Sequence, residues 1–257
     1  MKNIMVADGL VSAGKCGSGP GLWLFHSLLA DRGSFAKVIE PLAKGFTVYV
    51  PELPGFGASR GVEGGLAAVA DRMEQAIRSV YEEQPIVLGN GYGGFVALQM
   101  AIRHAGLVSK LVLADCGARF SNEGRQAFLN MANAAKAGGV EAICDVAMRR
   151  LFAPAFQAEN PALVAERRVA FLAVDKAVVI AACHTLATMD LTPDLDRVRC
   201  PTLVLVGQED EATPPFMSEQ LAAGLKNAQL HVLPGCAHVP QLQDPIRFLE
   251  RVRSFLM

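Results

Sequence analysis

The chain of 257 residues lacks three things, and each absence excludes a class of function. No apolar stretch reaches the roughly 18 residues of a membrane-spanning helix, and Met1 to Ala7 lack the apolar run after positive charge of a secretory signal. The expected location is the cytoplasm, with no membrane partner. No charge dominates: 24 Lys and Arg against 25 Asp and Glu give a net charge of −1, so no field draws in nucleic acid. The expected partner is a small molecule, with the oligomeric state left open. The six cysteines, Cys16, Cys116, Cys144, Cys183, Cys200 and Cys236, include no C-x-x-C pair and no metal spacing. They are expected as small core residues, with no metal and no cofactor.

About half of the residues are apolar (51%), enough for one buried sheet covered by helices. Leu22 to Phe25, Thr47 to Val50, Ile86 to Leu88, Leu111 to Ala114 and Thr202 to Val206 are short runs rich in Val, Ile and Leu. Such runs mark strands buried on both faces of a parallel sheet. Between and after them Ser34 to Ala43, Leu66 to Val80, Phe95 to His104, Pro215 to Leu225 and Pro245 to Phe255 carry helical spacing. The alternation predicts an α/β fold, a mostly parallel central sheet flanked by helices and joined by right-handed crossovers. From about Phe120 to Thr192 the rhythm stops and an Ala-rich helical pattern runs without a strand candidate. The expected organisation is a core of residues 1–119 and 193–257, with 120–192 inserted as a helical cap over the carboxyl edge of the sheet, where open α/β sheets bind ligands.

Another absence lies inside the most informative motif. Ile86-Val87-Leu88-Gly89-Asn90-Gly91-Tyr92-Gly93-Gly94 runs from an apolar strand through a glycine-rich turn into a helix, the context of a Gly-X-Ser-X-Gly nucleophile elbow. The serine position is Gly91. The partners of such a nucleophile follow in the order acid, then base. Asp210 lies in the loop after the strand Leu203 to Val206, with Asp115 at another strand end as an alternative acid of mainly structural expectation. His238 follows the strand-like run that ends at Leu233. His238 is expected as the base and Asp210 as the carboxylate that orients it. Two backbone N–H groups are needed for a developing oxyanion. Tyr92, at the start of the helix where the dipole favours an anion, and Leu28, in the turn His26-Ser27-Leu28-Leu29, are the expected donors. Ser27 is the hydroxyl next to the site. It belongs to the oxyanion turn and is expected to bind substrate rather than attack it. His184 in the cap and Arg150, whose guanidinium can grip a carboxylate with two hydrogen bonds, are further substrate-binding candidates. His104 and His231 have no such context.

Together these residues resemble the alpha/beta hydrolase superfamily over essentially the whole chain. Pro51-Glu52-Leu53-Pro54-Gly55-Phe56-Gly57-Ala58-Ser59 looks like its proline- and glycine-rich loop after the fourth strand. Leu111-Val112-Leu113-Ala114-Asp115, Leu186-Ala187-Thr188-Met189-Asp190-Leu191 and Pro201-Thr202-Leu203-Val204 are similar to 3-oxoadipate enol-lactonases, and the Gly89-Asn90 opening to meta-cleavage-product hydrolases. The resemblance implies cofactor-free ester, lactone or C–C hydrolysis, with His238 as base, Asp210 as orienter, and Leu28 and Tyr92 as oxyanion donors. The chain departs from the pattern at Gly91, and at Leu151, where enol-lactonases typically carry a tryptophan.

Four explanations of Gly91 stay open on the sequence: a serine removed by design, a water activated directly by His238, proton transfer such as isomerisation or decarboxylation, or ligand binding without chemistry. On the first, Gly91→Ser is expected to raise ester hydrolysis at least about a hundredfold, within the range a missing triad member costs. Glycine also relieves the strained elbow conformation, so the fold should tolerate it.

Overall fold

The computed structural model describes residues 1–80 and 84–257. Eight strands form one sheet: β1 (Lys2–Val6), β2 (Val11–Cys16), β3 (Gly21–Phe25), β4 (Thr47–Pro51), β5 (Ile86–Asn90), β6 (Lys110–Ala114), β7 (Thr202–Gly207) and β8 (Ala228–Leu233). Their spatial order is β1-β2-β4-β3-β5-β6-β7-β8. The pairs β1–β2 and β2–β4 are antiparallel and all the others parallel. The five strands expected from their apolar runs are β3 to β7.

Those runs still alternate, because each face packs on a different layer. Leu22, Leu24, Ile86, Leu88, Val112, Leu203 and Leu205 point to the side covered by α1 (Ala36–Ala43) and α11 (Pro245–Leu256), against Val38, Leu42, Phe248 and Val252. Trp23, Phe25, Val87, Leu111, Leu113 and Val204 point to the opposite side. There α2 (Gly65–Arg78), α3 (Tyr92–Arg103) and α9 (Pro215–Gly224) cover the sheet. Each interior side chain contributes about 1.5–3 kcal/mol of transfer free energy, which is why burial on both faces makes the middle strands apolar throughout.

Between β6 and β7 the chain makes only helices: α4 (Asn122–Gly138), α5 (Glu141–Leu151), α6 (Pro154–Glu159), α7 (Pro161–Leu172) and α8 (Lys176–Thr188). The ends of this segment meet through an isolated bridge between Arg119 and Asp190. Helix α4 packs along α8, and α8 rests on α2. Arg167 of α7, almost fully buried, reaches Asp31 in the loop after β3 at 2.7 Å and ties the helical segment to the sheet. A short helix α10 (Pro240–Gln243) follows the His238 loop. No single helix among the described residues is long and apolar enough to cross a membrane.

The chain order reverses at β3, which has β4 on one side and β5 on the other. The crossovers from β3 to β4 and from β5 to β6 therefore run to opposite sides, and a crevice opens beyond the carboxyl ends of β3 and β5. Their register pairs Phe25 with Gly89, so the segments that follow, His26-Ser27-Leu28 and Asn90-Gly91-Tyr92, leave the sheet side by side.

Candidate active site

Gly91 has φ +54° and ψ −120°, a backbone region that glycine enters without the strain a side chain incurs. Around it the backbone is packed without slack. The Gly91 N–H donates to the Ala114 carbonyl at 2.9 Å, and the Gly93 N–H to the His26 carbonyl at 3.0 Å, linking the turn after β5 to both neighbouring strands.

His238 and Asp210 converge on this turn. The His238 Nδ1–H donates to Asp210 Oδ2 at 2.9 Å. Asp210 is fully committed: Oδ1 accepts the N–H groups of Ala212 (2.8 Å) and Thr213 (3.1 Å), and Oδ2 also accepts the Thr213 hydroxyl (2.6 Å). Four donors on one buried carboxylate hold it as an acceptor and leave Nε2 as the free acceptor of the His238 ring. That nitrogen lies 3.1 Å from the Ser27 hydroxyl.

Asn90, the residue before Gly91, orders the loop that carries His238. Its amide donates to the His238 carbonyl at 2.9 Å and to Asp115 Oδ2 at 3.3 Å, and its oxygen accepts from Gln241 at 3.0 Å. Asp115, also fully buried, accepts the Gly207 N–H at 2.8 Å and so binds β6 to β7. Burial, reinforced by the neighbouring charge of Asp210, pushes the Asp115 carboxyl well above the usual carboxylate range. Asp115 makes no hydrogen bond to His238.

The N–H groups of Leu28 and Tyr92 have no acceptor among the described residues, and both residues line the cavity in front of Gly91. The turn that carries Leu28 is held by His26, which sequence reasoning passed over. His26 Nδ1–H donates to the Ser27 carbonyl at 3.0 Å while Nε2 accepts the Leu53 N–H at 3.1 Å. One nitrogen must donate and the other accept, so the ring is neutral, and full burial lowers its pKa below the ordinary 6.5. The unfolded chain takes up this proton as pH falls through 6.5 and the folded chain does not, so stability is lost on acidification in that window. Denaturant unfolding at pH 7.5 and 5.5 should show the loss, at most about 1.4 kcal/mol per pH unit from this group, and a smaller loss in His26→Gln.

The cavity is about 30 Å³, room for roughly two waters. Ser27, Gly91, Thr213 and His238 form its polar floor, and Leu29, Phe95, Phe120, Phe128, Met131 and Leu186 its apolar walls. Arg150 also lines it, its side chain without a hydrogen bond or ion pair among the described residues. The same arginine lines an outer cleft of about 180 Å³, bordered by Phe120, Phe128, Glu211 and Phe216. It stands at the wall between the two spaces. His184 is exposed and outside the lining, which corrects its expected place at the substrate: it lies on the solvent side of α8, whereas Leu186, two residues on, faces inward. Leu151 is buried in the core and does not reach the cavity. The thiols of Cys116 and Cys236 are no rivals for chemistry, since burial pushes both up, that of Cys236 to about 12.

Residues 17–251 match the alpha/beta hydrolase family. A putative carbamate hydrolase RutD of Rhizobium rhizogenes is 28% identical over 239 residues, 91% of each chain. A pimeloyl-[acyl-carrier protein] methyl ester esterase of Nitrosospira multiformis is 25% identical over 93% of this chain and 95% of its own. Among solved structures, a thermophilic esterase from Thermogutta terrifontis with malate bound superposes with a TM-score of 0.88 at 27% identity, over 100% of this chain and 98% of its own. The enol-lactonase from Burkholderia xenovorans superposes with a TM-score of 0.90 at 22% identity over 99% of both chains, a likeness of fold.

Proposed function

The chain belongs to the alpha/beta hydrolase family, and we propose that it hydrolyses a small ester or lactone bearing a carboxylate, with His238 as general base, Asp210 as its orienting carboxylate, and the Leu28 and Tyr92 N–H groups as the oxyanion hole. The observation that carries this reading is the His238–Asp210 hydrogen bond of 2.9 Å, which leaves Nε2 for the cavity that Gly91, Leu28 and Tyr92 also line. A base so oriented can take a proton from an attacking oxygen. Donors prearranged beside apolar walls stabilise the tetrahedral oxyanion better than water does. The carbamate and methyl ester in the names of two relatives share a carbonyl with a heteroatom leaving group, which is the bond this arrangement suits.

Arg150 supports the carboxylate. An unpaired guanidinium beside an apolar cavity gains most from a bidentate carboxylate. Its place between cavity and outer cleft sets the acid some distance from the scissile carbonyl, with the inner cavity holding only a small group. The helical segment of residues 120–192 acts in this reading as a cap, supplying Phe128, Met131, Arg150 and Leu186. Six free cysteines fit a reducing compartment, and the reading places the enzyme in the cytoplasm.

Turnover of a carboxylated ester or enol-lactone in ¹⁸O-labelled water tests the proposal. Label in the new carboxylate is expected; label only as exchanged carbon-bound hydrogen, from a parallel run in deuterated water, points instead to isomerisation. In the same assay Arg150→Met should raise KM about tenfold or more for a carboxylated substrate and leave kcat and the neutral methyl ester nearly unchanged, because the lost contact binds ground and transition state alike. Equal loss on both substrates would remove Arg150 from the site.

A further inference from the structure

Building on the hydrolase reading above, we propose that Ser27 is the nucleophile, an attacking hydroxyl moved from the end of β5 to the end of the neighbouring strand β3. Three observations carry this. First, the register pairs Phe25 with Gly89, so Ser27 and Gly91 each lie two residues beyond a paired position and leave the sheet as neighbours. Second, Ser27 Oγ is 3.1 Å from His238 Nε2, whose other nitrogen is engaged by Asp210 at 2.9 Å. Serine, histidine and aspartate thus form a continuous chain with the proton polarity of a triad. Third, a Cβ built on Gly91 would lie 2.4 Å from Ser27 Oγ and 2.5 Å from His238 Nε2. The Ser27 hydroxyl already fills the space of an elbow side chain. In this geometry the two serines exclude one another, and the glycine at 91 is what admits the one at 27.

Other oxygens and sulfurs near the base do not compete. The Thr213 hydroxyl donates to Asp210 at 2.6 Å and lies on the Nδ1 side of the ring. The Cys116 thiol is fully buried, packed under Gly94. The oxyanion donors need no rearrangement: the N–H that follows an attacking residue at 91 belongs to Tyr92, and the one that follows Ser27 belongs to Leu28. Moving the nucleophile across the crevice exchanges their order and keeps both.

The chemistry balances without a cofactor. His238 Nε2 takes the Ser27 hydroxyl proton as Oγ bonds to the substrate carbonyl carbon, and the carbonyl oxygen takes the negative charge. Collapse breaks the bond to the leaving oxygen, which receives the proton from His238. Water then attacks the acyl-serine, His238 takes its proton, and Ser27 Oγ leaves reprotonated with release of the acid.

Rapid mixing with p-nitrophenyl acetate, peptide mapping after an alkyl fluorophosphonate, and the variants Ser27→Ala and Gly91→Ser/Ser27→Gly test the proposal. The expected result is a nitrophenolate burst near one per chain, the phosphonyl adduct on Ser27, loss of burst and adduct in Ser27→Ala with turnover down about 10³-fold, and an adduct moved to position 91 in the double variant. His238-dependent turnover without an adduct, kept within tenfold by Ser27→Ala, would overturn the proposal in favour of activated water while preserving the hydrolase reading. An adduct on any other wild-type residue also overturns it. Absence of turnover that is equally absent in His238→Ala would remove the hydrolase reading, and this proposal with it.

Discussion

His238→Ala is expected to lower kcat/KM on an activated ester by about 10⁴-fold or more, on the order of 5.5 kcal/mol of transition-state stabilisation, while the protein stays folded. The size follows from the proposed role: no other side chain among the described residues hydrogen-bonds the Ser27 hydroxyl, so without Nε2 what remains is the rate supplied by binding and the proposed oxyanion donors. The fold survives because Asp210 keeps three other donors, the N–H groups of Ala212 and Thr213 and the Thr213 hydroxyl, so no buried carboxylate is orphaned. Asp210→Asn should fall almost as far, about 10⁴-fold in kcat. All four groups around Asp210 donate, and an amide must set its NH₂ either against the backbone N–H groups or against His238 Nδ1–H. Steady-state kinetics beside thermal melts checks both. Activity of His238→Ala within tenfold of wild type would sink the assignment.

Gly93→Ala should destabilise the protein by about 3 kcal/mol or more, the upper end for an overpacked core site. Its Cβ would lie 2.2 Å from the Phe25 carbonyl oxygen, 2.4 Å from the Phe25 carbonyl carbon and 2.7 Å from the His26 carbonyl oxygen. All three atoms are backbone, so no side chain can swing aside. Relief requires α3 to draw away from the end of β3, which breaks the Gly93 N–H bond to His26 and separates Ser27 from Gly91. The melting temperature should drop by about 2–4 °C for each kcal/mol. Gly45→Ala, where a Cβ meets nothing and φ needs no glycine, is the control and should stay within about 0.5 kcal/mol. A Gly93→Ala protein as stable and active as the control would show that the two strand ends are not locked as described.

The same packing alters what Gly91→Ser does. The sequence motif alone presents position 91 as a vacancy to be refilled, with a gain in hydrolysis. In the fold that space holds Ser27 Oγ and His238 Nε2, so the single substitution must displace the hydroxyl or the imidazole, and a gain is expected only once Ser27 is shortened as well.

Strands β3 to β7 were legible because burial on both faces demands unbroken apolar runs, and the loop of Asp210 because it follows one of them; the strand before His238, β8, is a half-exposed edge strand that alternates polar and apolar residues. The hairpin of β1 and β2 was not. β1 is largely exposed, and β2 reads Val-Ser-Ala-Gly-Lys-Cys, short of the branched residues that mark a strand; pairing with β4 makes it one. His26 carried no signal either, since its task is to bridge the Ser27 carbonyl and the Leu53 N–H, groups brought together only by the adjacency of β3 and β4. His184 misled because a helix such as α8 shows its period in sequence but not which stripe faces the cavity.

The sequence by itself determined the mostly parallel sheet and the placing of Gly91, Asp210 and His238 in the turns and loops that follow its strands, because these rest on local burial patterns and strand-to-loop transitions. Only the tertiary structure decided that Ser27 stands across from Gly91 and reaches His238. That contact depends on two strands, 60 residues apart in the chain, leaving the sheet in register at its switch point, and no local property of either segment encodes their pairing.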